Sequence, residues 1–94
     1  MLKMIEMPKT ITLAGIMDYT SVPALKKKLL ISLDDCRDVL LDLGNVVSAD
    51  TAFAALLVEM TAKARTLGST LSLRDVPPAV NQLLTMLRLK PLLA

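Results

Sequence analysis

The side chains best suited to chemistry are gathered in one short segment, Ser48-Ala49-Asp50-Thr51. This segment follows an aliphatic run and precedes a helical pattern, which predicts that it joins a strand to a helix. Binding sites of α/β folds collect at such junctions, and a helix N-terminus favours negative charge. A phosphate on Thr51 or Ser48 would meet free N–H groups there. The same residues also suit a purely structural role, in which Asp50 or Ser48 caps the helix.

Other kinds of chemistry are poorly supported. The chain contains no histidine and a single cysteine, Cys36, so it lacks the commonest general base and the commonest metal ligand. Asp34, Asp35 and Asp38 cluster between a predicted helix and a predicted strand, where solvated acids are ordinary. The three glycines lie far apart and form no phosphate-binding loop. We therefore expect no enzymatic activity, no cofactor and no metal.

Length and composition favour one domain covering residues 1–94. The chain has 94 residues, of which 53% are hydrophobic and 2% aromatic, and its formal net charge is +2. That charge is too small to indicate nucleic-acid binding. The opening residues do not resemble a signal peptide, and no apolar run reaches the length of a membrane span. We expect a cytoplasmic protein that does not insert into membranes.

Hydrophobic periodicity predicts an α/β fold with the element order β-β-α-β-α-β-α. Residues alternate or form short apolar runs in four predicted strands, at Leu2–Met7, Thr10–Ala14, Asp38–Leu43 and Thr70–Arg74. The first two are expected to pair antiparallel at an edge, and the third to be buried on both faces, with a loop following from Val46 to Thr51. Phe53, Leu57 and Met60 recur at helical spacing in the most regular of the three helices. The prediction is a small mixed sheet of four to five strands with helices mainly on one side.

The twelve residues Asp42–Phe53 resemble the central motif of the STAS domain (sulphate transporter and anti-sigma factor antagonist). In that family Asp-Leu-Ser-Gly-Val precedes Asp-Ser-Ser-Gly at the start of the second helix. Leu13–Asp18 resembles the family's Leu-x-Gly-x-Leu-Asp strand end, and Leu87–Leu93 resembles its closing Gly-Leu-x-x-Leu pattern. The resemblance covers nearly the whole chain and implies a STAS-like fold.

The resemblance implies a non-enzymatic, partner-binding module. In anti-sigma factor antagonists a kinase phosphorylates the second hydroxyl residue of Asp-Ser-Ser-Gly to release the partner. That position is Ala52 in this chain, and the glycine position is Phe53, so the usual phosphoacceptor is missing. Asp50 and Thr51 remain. The Asp-Thr-Ala variant resembles STAS subunits of phospholipid-trafficking ABC transporters, in which the threonine contacts the ATPase, and STAS proteins of chemotaxis and other signalling systems.

A second stripe of small residues lies on the same predicted helix. Its members follow Thr51 at helical spacing and are Ala54, Ala55, Val58 and Ala62. Small side chains allow close approach of another surface, so the stripe is interpreted as one flank of a partner interface, together with Asp50 and Ala52. Burial of the same stripe in the core is an equally weighted alternative.

The leading functional hypothesis is an anti-sigma-factor-antagonist-like protein that binds a switch kinase, an anti-sigma factor or another signalling protein. In this hypothesis Thr51 or Ser48 is a phosphoacceptor or a partner contact. The alternative is a subunit that stabilises the ATPase of a phospholipid-trafficking ABC transporter without being phosphorylated. A homodimer formed through the N-terminal edge strand is a further prediction.

Overall fold

The computed structural model describes residues 9–34 and 38–93, which form three strands and four helices. The strands are β1 (Lys9–Met17), β2 (Val39–Ala49) and β3 (Leu71–Arg74). The helices are α1 (Val22–Asp34), α2 (Thr51–Thr66), α3 (Pro78–Met86) and α4 (Lys90–Leu93). The predicted strand at Leu2–Met7, its antiparallel pairing and Cys36 lie outside the described residues.

Strand β2 lies between β1 and β3, and both pairings are parallel. Parallel neighbours need a crossover connection, which α1 and α2 supply. The α/β alternation is therefore confirmed. In residues 9–34 and 38–93 the sheet has three parallel strands, whereas four to five strands in a mixed sheet were predicted.

One face of this sheet forms the core. Ile11 and Leu13 are buried in β1, whereas Thr10 and Thr12 between and beside them are exposed. In β2, Val39, Leu41 and Leu43 are inaccessible or nearly so, whereas Leu40 and Asp42 are only half-buried. The prediction that β2 is buried on both faces is therefore wrong, because the described helices cover one face only.

Helix α2 supplies the largest share of the core. Its predicted apolar stripe is confirmed, since Phe53, Leu57, Met60 and Ala64 are all inaccessible or nearly so. The helix contacts α1, α3, α4 and β3. It ends at Thr66, and Gly68 two residues later has a φ of 75°, in the left-handed region that stops a helix without a Cβ penalty.

Strand β2 continues further than the sequence pattern predicts. Between Thr12 and Ala14, and again between Gly15 and Ile16, the register with β1 shifts, so that β2 carries one extra residue at each place. Each bulge reverses which side chains face the core, and the period-2 alternation disappears. The predicted loop from Val46 to Thr51 is wrong for this reason, because the strand runs through Ala49.

Candidate functional site

Asp50 is the single residue between β2 and α2, and it caps the helix. Its backbone is extended, and its Oδ1 accepts a hydrogen bond from the N–H of Phe53 at 3.1 Å. Its own N–H donates to the carbonyl oxygen of Met17, the last residue of β1, at 3.1 Å. The capping role expected for Asp50 is thus present, and Ser48 takes no part in it among the described hydrogen bonds.

The second carboxylate oxygen of Asp50 connects the start of α2 with the turn between β1 and α1. Oδ2 accepts a hydrogen bond from the N–H of Tyr19 at 3.0 Å. Tyr19 belongs to the connection between β1 and α1, 31 positions earlier in the chain. Because β1 and β2 are parallel neighbours, their C-terminal ends and the turns that follow lie side by side. One carboxylate therefore fixes both turns relative to each other.

The β1–α1 turn is itself held by Asp18. Its Oδ1 accepts hydrogen bonds from the hydroxyl and the N–H of Thr20, the latter at 2.9 Å, and from the N–H of Ser21 at 3.3 Å. The hydroxyl of Thr20, followed by its N–H, holds the pKa of the Asp18 carboxyl below its ordinary value. A local turn of this kind presents the intervening side chains in a defined orientation.

The predicted hydroxyl residues lie at this end of the sheet. Thr51 is the first residue of α2 and is exposed. Ser48 is exposed on β2, paired in register with Ile16. Ala52 is half-buried in the first turn of α2. Ser48 lies at the end of β2, and Thr51 and Ala52 lie at the start of α2. Only Asp50 separates the two elements.

The small-residue stripe on α2 is partly exposed. Thr51, Ala55, Val58 and Ala62 recur at helical spacing on one face, on which Ala55 and Ala62 are exposed and Val58 is half-buried. Ala54 does not belong to that face. Ala54 is 0% exposed, because α2 contacts four other elements and therefore buries a wider part of its circumference.

Three exposed apolar side chains at this end of the sheet were not identified from the sequence. Ile16, Tyr19 and Val47 are 61%, 73% and 72% exposed. Ile16 and Val47 come from the paired ends of β1 and β2, and the N–H of Tyr19 is bonded to Asp50. The β-bulges that leave Ile16 and Val47 facing outward have no sequence signal beyond Gly15. The sequence marks Tyr19 only as the chain's one tyrosine, a few residues after the predicted strand Thr10–Ala14.

The acidic cluster at the other end of the sheet has a structural role where it is described. Asp38 Oδ1 accepts a hydrogen bond from the N–H of Thr70 at 3.0 Å, which joins the starts of β2 and β3. Across residues 9–34 and 38–93, no three acidic side chains come together as metal ligands would. Within the same ranges, no helix has the length and hydrophobicity needed to cross a membrane.

Comparison with known proteins agrees with this architecture. The family model described as "Mlab, STAS domain" matches residues 4–94. A putative anti-sigma factor antagonist from Thermotoga maritima superposes with a TM-score of 0.76 at 17% identity, covering 87% of this chain and 74% of that one. The anti-sigma factor antagonist SpoIIAA in its unphosphorylated form gives 0.75 at 14% identity, covering 97% and 82%. These TM-scores establish a shared fold.

A third structure, described as Mglu, gives a TM-score of 0.65 at 21% identity. The match covers 76% of this chain but only 18% of that longer chain. Among curated protein sequences none matches significantly.

Proposed function

The chain belongs to the STAS domain family, and we propose that it is a protein-binding module whose partner contacts the surface around Thr51. This "Thr51 surface" comprises residues at the ends of β1 and β2 and along one face of α2, namely Ile16, Tyr19, Val47, Ser48, Asp50, Thr51, Ala52, Ala55, Val58 and Ala62. Similarity to anti-sigma factor antagonists, which act by binding proteins, supports the proposal. No catalytic step, cofactor or metal is part of it.

The observation that carries the proposal is the group of exposed apolar side chains beside a rigid turn. Ile16, Tyr19 and Val47 are each more than half exposed, although each could bury substantial apolar surface. Exposed apolar groups scattered singly are ordinary, whereas a group at one end of a domain is typical of an interaction site. Asp50 holds the turn of Tyr19, and Ile16 and Val47 lie on paired strands, so all three extend from an ordered backbone, which lowers the entropy cost of association.

The neighbouring face of α2 supports a close contact. Ala55 and Ala62 are exposed and small, and half-buried Val58 lies between them. A partner helix can approach such a face more closely than one covered by long side chains. Thr51 stands at the N-terminal end of this face, where its hydroxyl is available to a partner polar group.

The proposed partner is a switch kinase, an anti-sigma factor or another signalling protein, and Thr51 or Ser48 is the phosphoacceptor or a direct contact. Both hydroxyl residues are exposed. A phosphate on Thr51 would lie at the N-terminus of α2, where the helix dipole favours negative charge.

A second candidate is supported by the chemistry next to Thr51. Ala52 offers no hydroxyl at the family's usual phosphoacceptor position, and the fixed carboxylate of Asp50 precedes Thr51 directly. A phosphate on Thr51 would be repelled by that carboxylate. This favours a module that works without phosphorylation, such as a subunit that steadies the ATPase of a phospholipid-trafficking ABC transporter.

Incubation with ATP and the kinases encoded near the gene, followed by mass mapping, separates the two candidates. The signalling candidate requires phosphate on Thr51 or Ser48. Unmodified residues 48–51 with every kinase, together with co-purification of an ATPase subunit, would select the transporter candidate.

The shared claim, that the Thr51 surface holds the partner, is tested by Thr51→Glu. We expect partner capture to weaken by at least about tenfold, as for removal of a central contact, while the fold is kept because an acid at a helix N-terminus is favourable. Thr85→Glu is the matched control, since Thr85 is an exposed threonine on α3, outside the Thr51 surface. Equal capture by both variants would contradict the proposal.

A further inference from the structure

A group of apolar and basic side chains is exposed where α4 follows α3. Met86, Leu87 and Leu92 are 76%, 37% and 50% exposed, and Arg88 and Lys90 between them are also exposed. These five residues form the α3–α4 patch. All of them lie in residues 86–92, so their backbones are close together.

Backbone hydrogen bonds give this part of the chain a defined inner and outer side. The N–H of Leu89 donates to the carbonyl oxygen of Leu84 at 2.9 Å, and the N–H of Leu92 donates to that of Leu89 at 3.0 Å. Leu84 is buried, and the half-buried Leu89 and Leu93 pack against the core. The leucines that face the core therefore alternate with the members of the patch, which are left on the outer side.

The α3–α4 patch is separate from the Thr51 surface. Leu93 of α4 lines a cavity together with Thr61 and Arg65, which belong to the C-terminal half of α2. Thr51 begins the same helix, about 21 Å from Arg65 along its axis. The two surfaces therefore lie near opposite ends of α2.

The positive charge of the patch has no compensating acid. Residues 76–94 contain Arg88 and Lys90 and no aspartate or glutamate. Among residues 9–34 and 38–93, neither cation takes part in an ion pair. Cations beside exposed apolar side chains complement a surface that is negatively charged outside and apolar beneath.

The backbone of Arg88 has a conformation that costs stability. Its φ of 56° lies in the left-handed region, which glycine adopts without a Cβ penalty and other residues adopt at a cost. A helix end of this kind is usually occupied by glycine. A residue held in such a conformation points to a role other than folding. The guanidinium of Arg88 therefore becomes a candidate for binding.

The shape of the patch favours a membrane over a peptide. An extended peptide binds a groove or a free strand edge, and a helical peptide binds an apolar groove. The patch instead consists of helix ends and the turn between them, from which Met86 projects. Projecting apolar side chains can enter the headgroup layer of a lipid bilayer, whose surface is flat and deformable.

We propose that the α3–α4 patch binds the surface of an anionic lipid membrane. Arg88 and Lys90 contact lipid phosphates, and the apolar members of the patch enter the boundary between headgroups and acyl chains. The domain rests on the membrane and does not cross it. In this orientation the Thr51 surface, near the other end of α2, stays accessible to a protein partner.

Flotation of the full chain with lipid vesicles tests the proposal. One vesicle contains equal parts of phosphatidylglycerol and phosphatidylcholine, and the other contains phosphatidylcholine alone. We expect binding to the anionic vesicle that weakens as salt is added, and none to the neutral vesicle. In bicelles of the anionic composition, a spin-labelled lipid should broaden the amide NMR signals of residues 86–92.

Arg88→Gly separates binding from folding. It should weaken binding to the anionic vesicle about fivefold, because one cation near the surface is lost. The free energy of unfolding in urea should stay the same or rise, because glycine suits the φ of this position. Met86→Gln should also weaken binding, through lost apolar contact. Lys27→Gln removes an exposed lysine from α1 as the matched control and should leave binding unchanged.

Three results would overturn the proposal. They are equal binding to both vesicles, no binding to either, and binding that Arg88→Gly leaves unchanged. Amide shifts of residues 86–92 with a glutamate-rich peptide, in the absence of vesicle binding, would assign the patch to an acidic protein segment instead. Thr51→Glu should not alter vesicle binding, so failure here and failure of the Thr51 surface are distinguishable.

Discussion

At the scale of single residues, Asp50 connects the start of α2 with the turn between β1 and α1. One carboxylate oxygen caps α2 through the N–H of Phe53, and the other holds the N–H of Tyr19. The capping role was predictable, because an aspartate before a helical pattern is a common N-cap. The bond to Tyr19 was not, since it depends on the parallel pairing of strands that are far apart in sequence.

Replacing Asp50 tests this double role. Asp50→Ala should lower the free energy of unfolding by about 1–2 kcal/mol, because the helix loses its cap and the N–H of Tyr19 loses its acceptor. Asp50→Asn retains one acceptor oxygen and should lower the free energy of unfolding by a smaller amount. Urea unfolding measures both. An Asp50→Ala variant as stable as the unchanged protein would show that the carboxylate does not hold the two turns.

At the scale of elements, the path of β2 decides which residues become accessible. Regular 3.6- and 2-residue periods predicted three helices and the strands β1 and β3, which are found close to the expected positions, whereas the short helix α4 was not predicted. The end of β2 was missed because two bulges reverse its alternation. Ala54 was assigned to the partner stripe because periodicity alone does not show how many neighbours surround α2.

Gly15 has a left-handed backbone conformation where the register between β1 and β2 shifts. Its φ of 84° lies in the left-handed region, and an added Cβ would meet nothing within 4 Å. Gly15→Ala should therefore lower the free energy of unfolding by about 1–2 kcal/mol for conformational reasons alone. The same substitution should change the amide NMR chemical shifts of Val47 and Ser48.

The neighbouring exposed residue provides the control for Gly15. Ala14→Gly lies in extended backbone on the same strand and should destabilise the protein by less than about 1 kcal/mol. Urea unfolding distinguishes the two variants. A neutral or stabilising Gly15→Ala substitution would mean that this left-handed residue is not needed for the register shift.

At the scale of the whole molecule, the described chain leaves a group of exposed apolar side chains at one end of the sheet, where β1 and β2 finish. The α/β class and the family were predictable from periodicity and motifs. The exposed group of Ile16, Tyr19 and Val47 was not, because it forms only when β1 and β2 pair with their bulges.

Stability of the whole domain should fall in acid. The N–H of Gly44, followed by the guanidinium of Arg74, lowers the pKa of Asp42, and Thr20 lowers that of Asp18. Groups whose pKa is lower in the folded state stabilise it above their unfolded pKa of about 3.9, and this stabilisation is lost as the pH falls through the lower folded values. Above about pH 5 these two groups should cause no pH dependence.

Urea midpoints measured from pH 7 down to pH 2 test this expectation. The double variant Asp18→Asn and Asp42→Asn should be less stable at pH 7 and should lose less stability in acid than the unchanged protein. An unaltered acid profile in the double variant would contradict the assignment to these two carboxylates.

The central claim is that a protein partner occupies the Thr51 surface, and site-specific photocrosslinking in the native cell tests it most directly. A photoreactive residue is placed at Ala55, at Tyr19, or at Ile31, which is exposed on α1 at the opposite end of the sheet. We expect positions 55 and 19 to crosslink the same protein, Thr51→Glu to reduce both products, and position 31 to give none. Crosslinking from position 31 alone, or products at positions 55 and 19 that Thr51→Glu leaves unchanged, would contradict the claim.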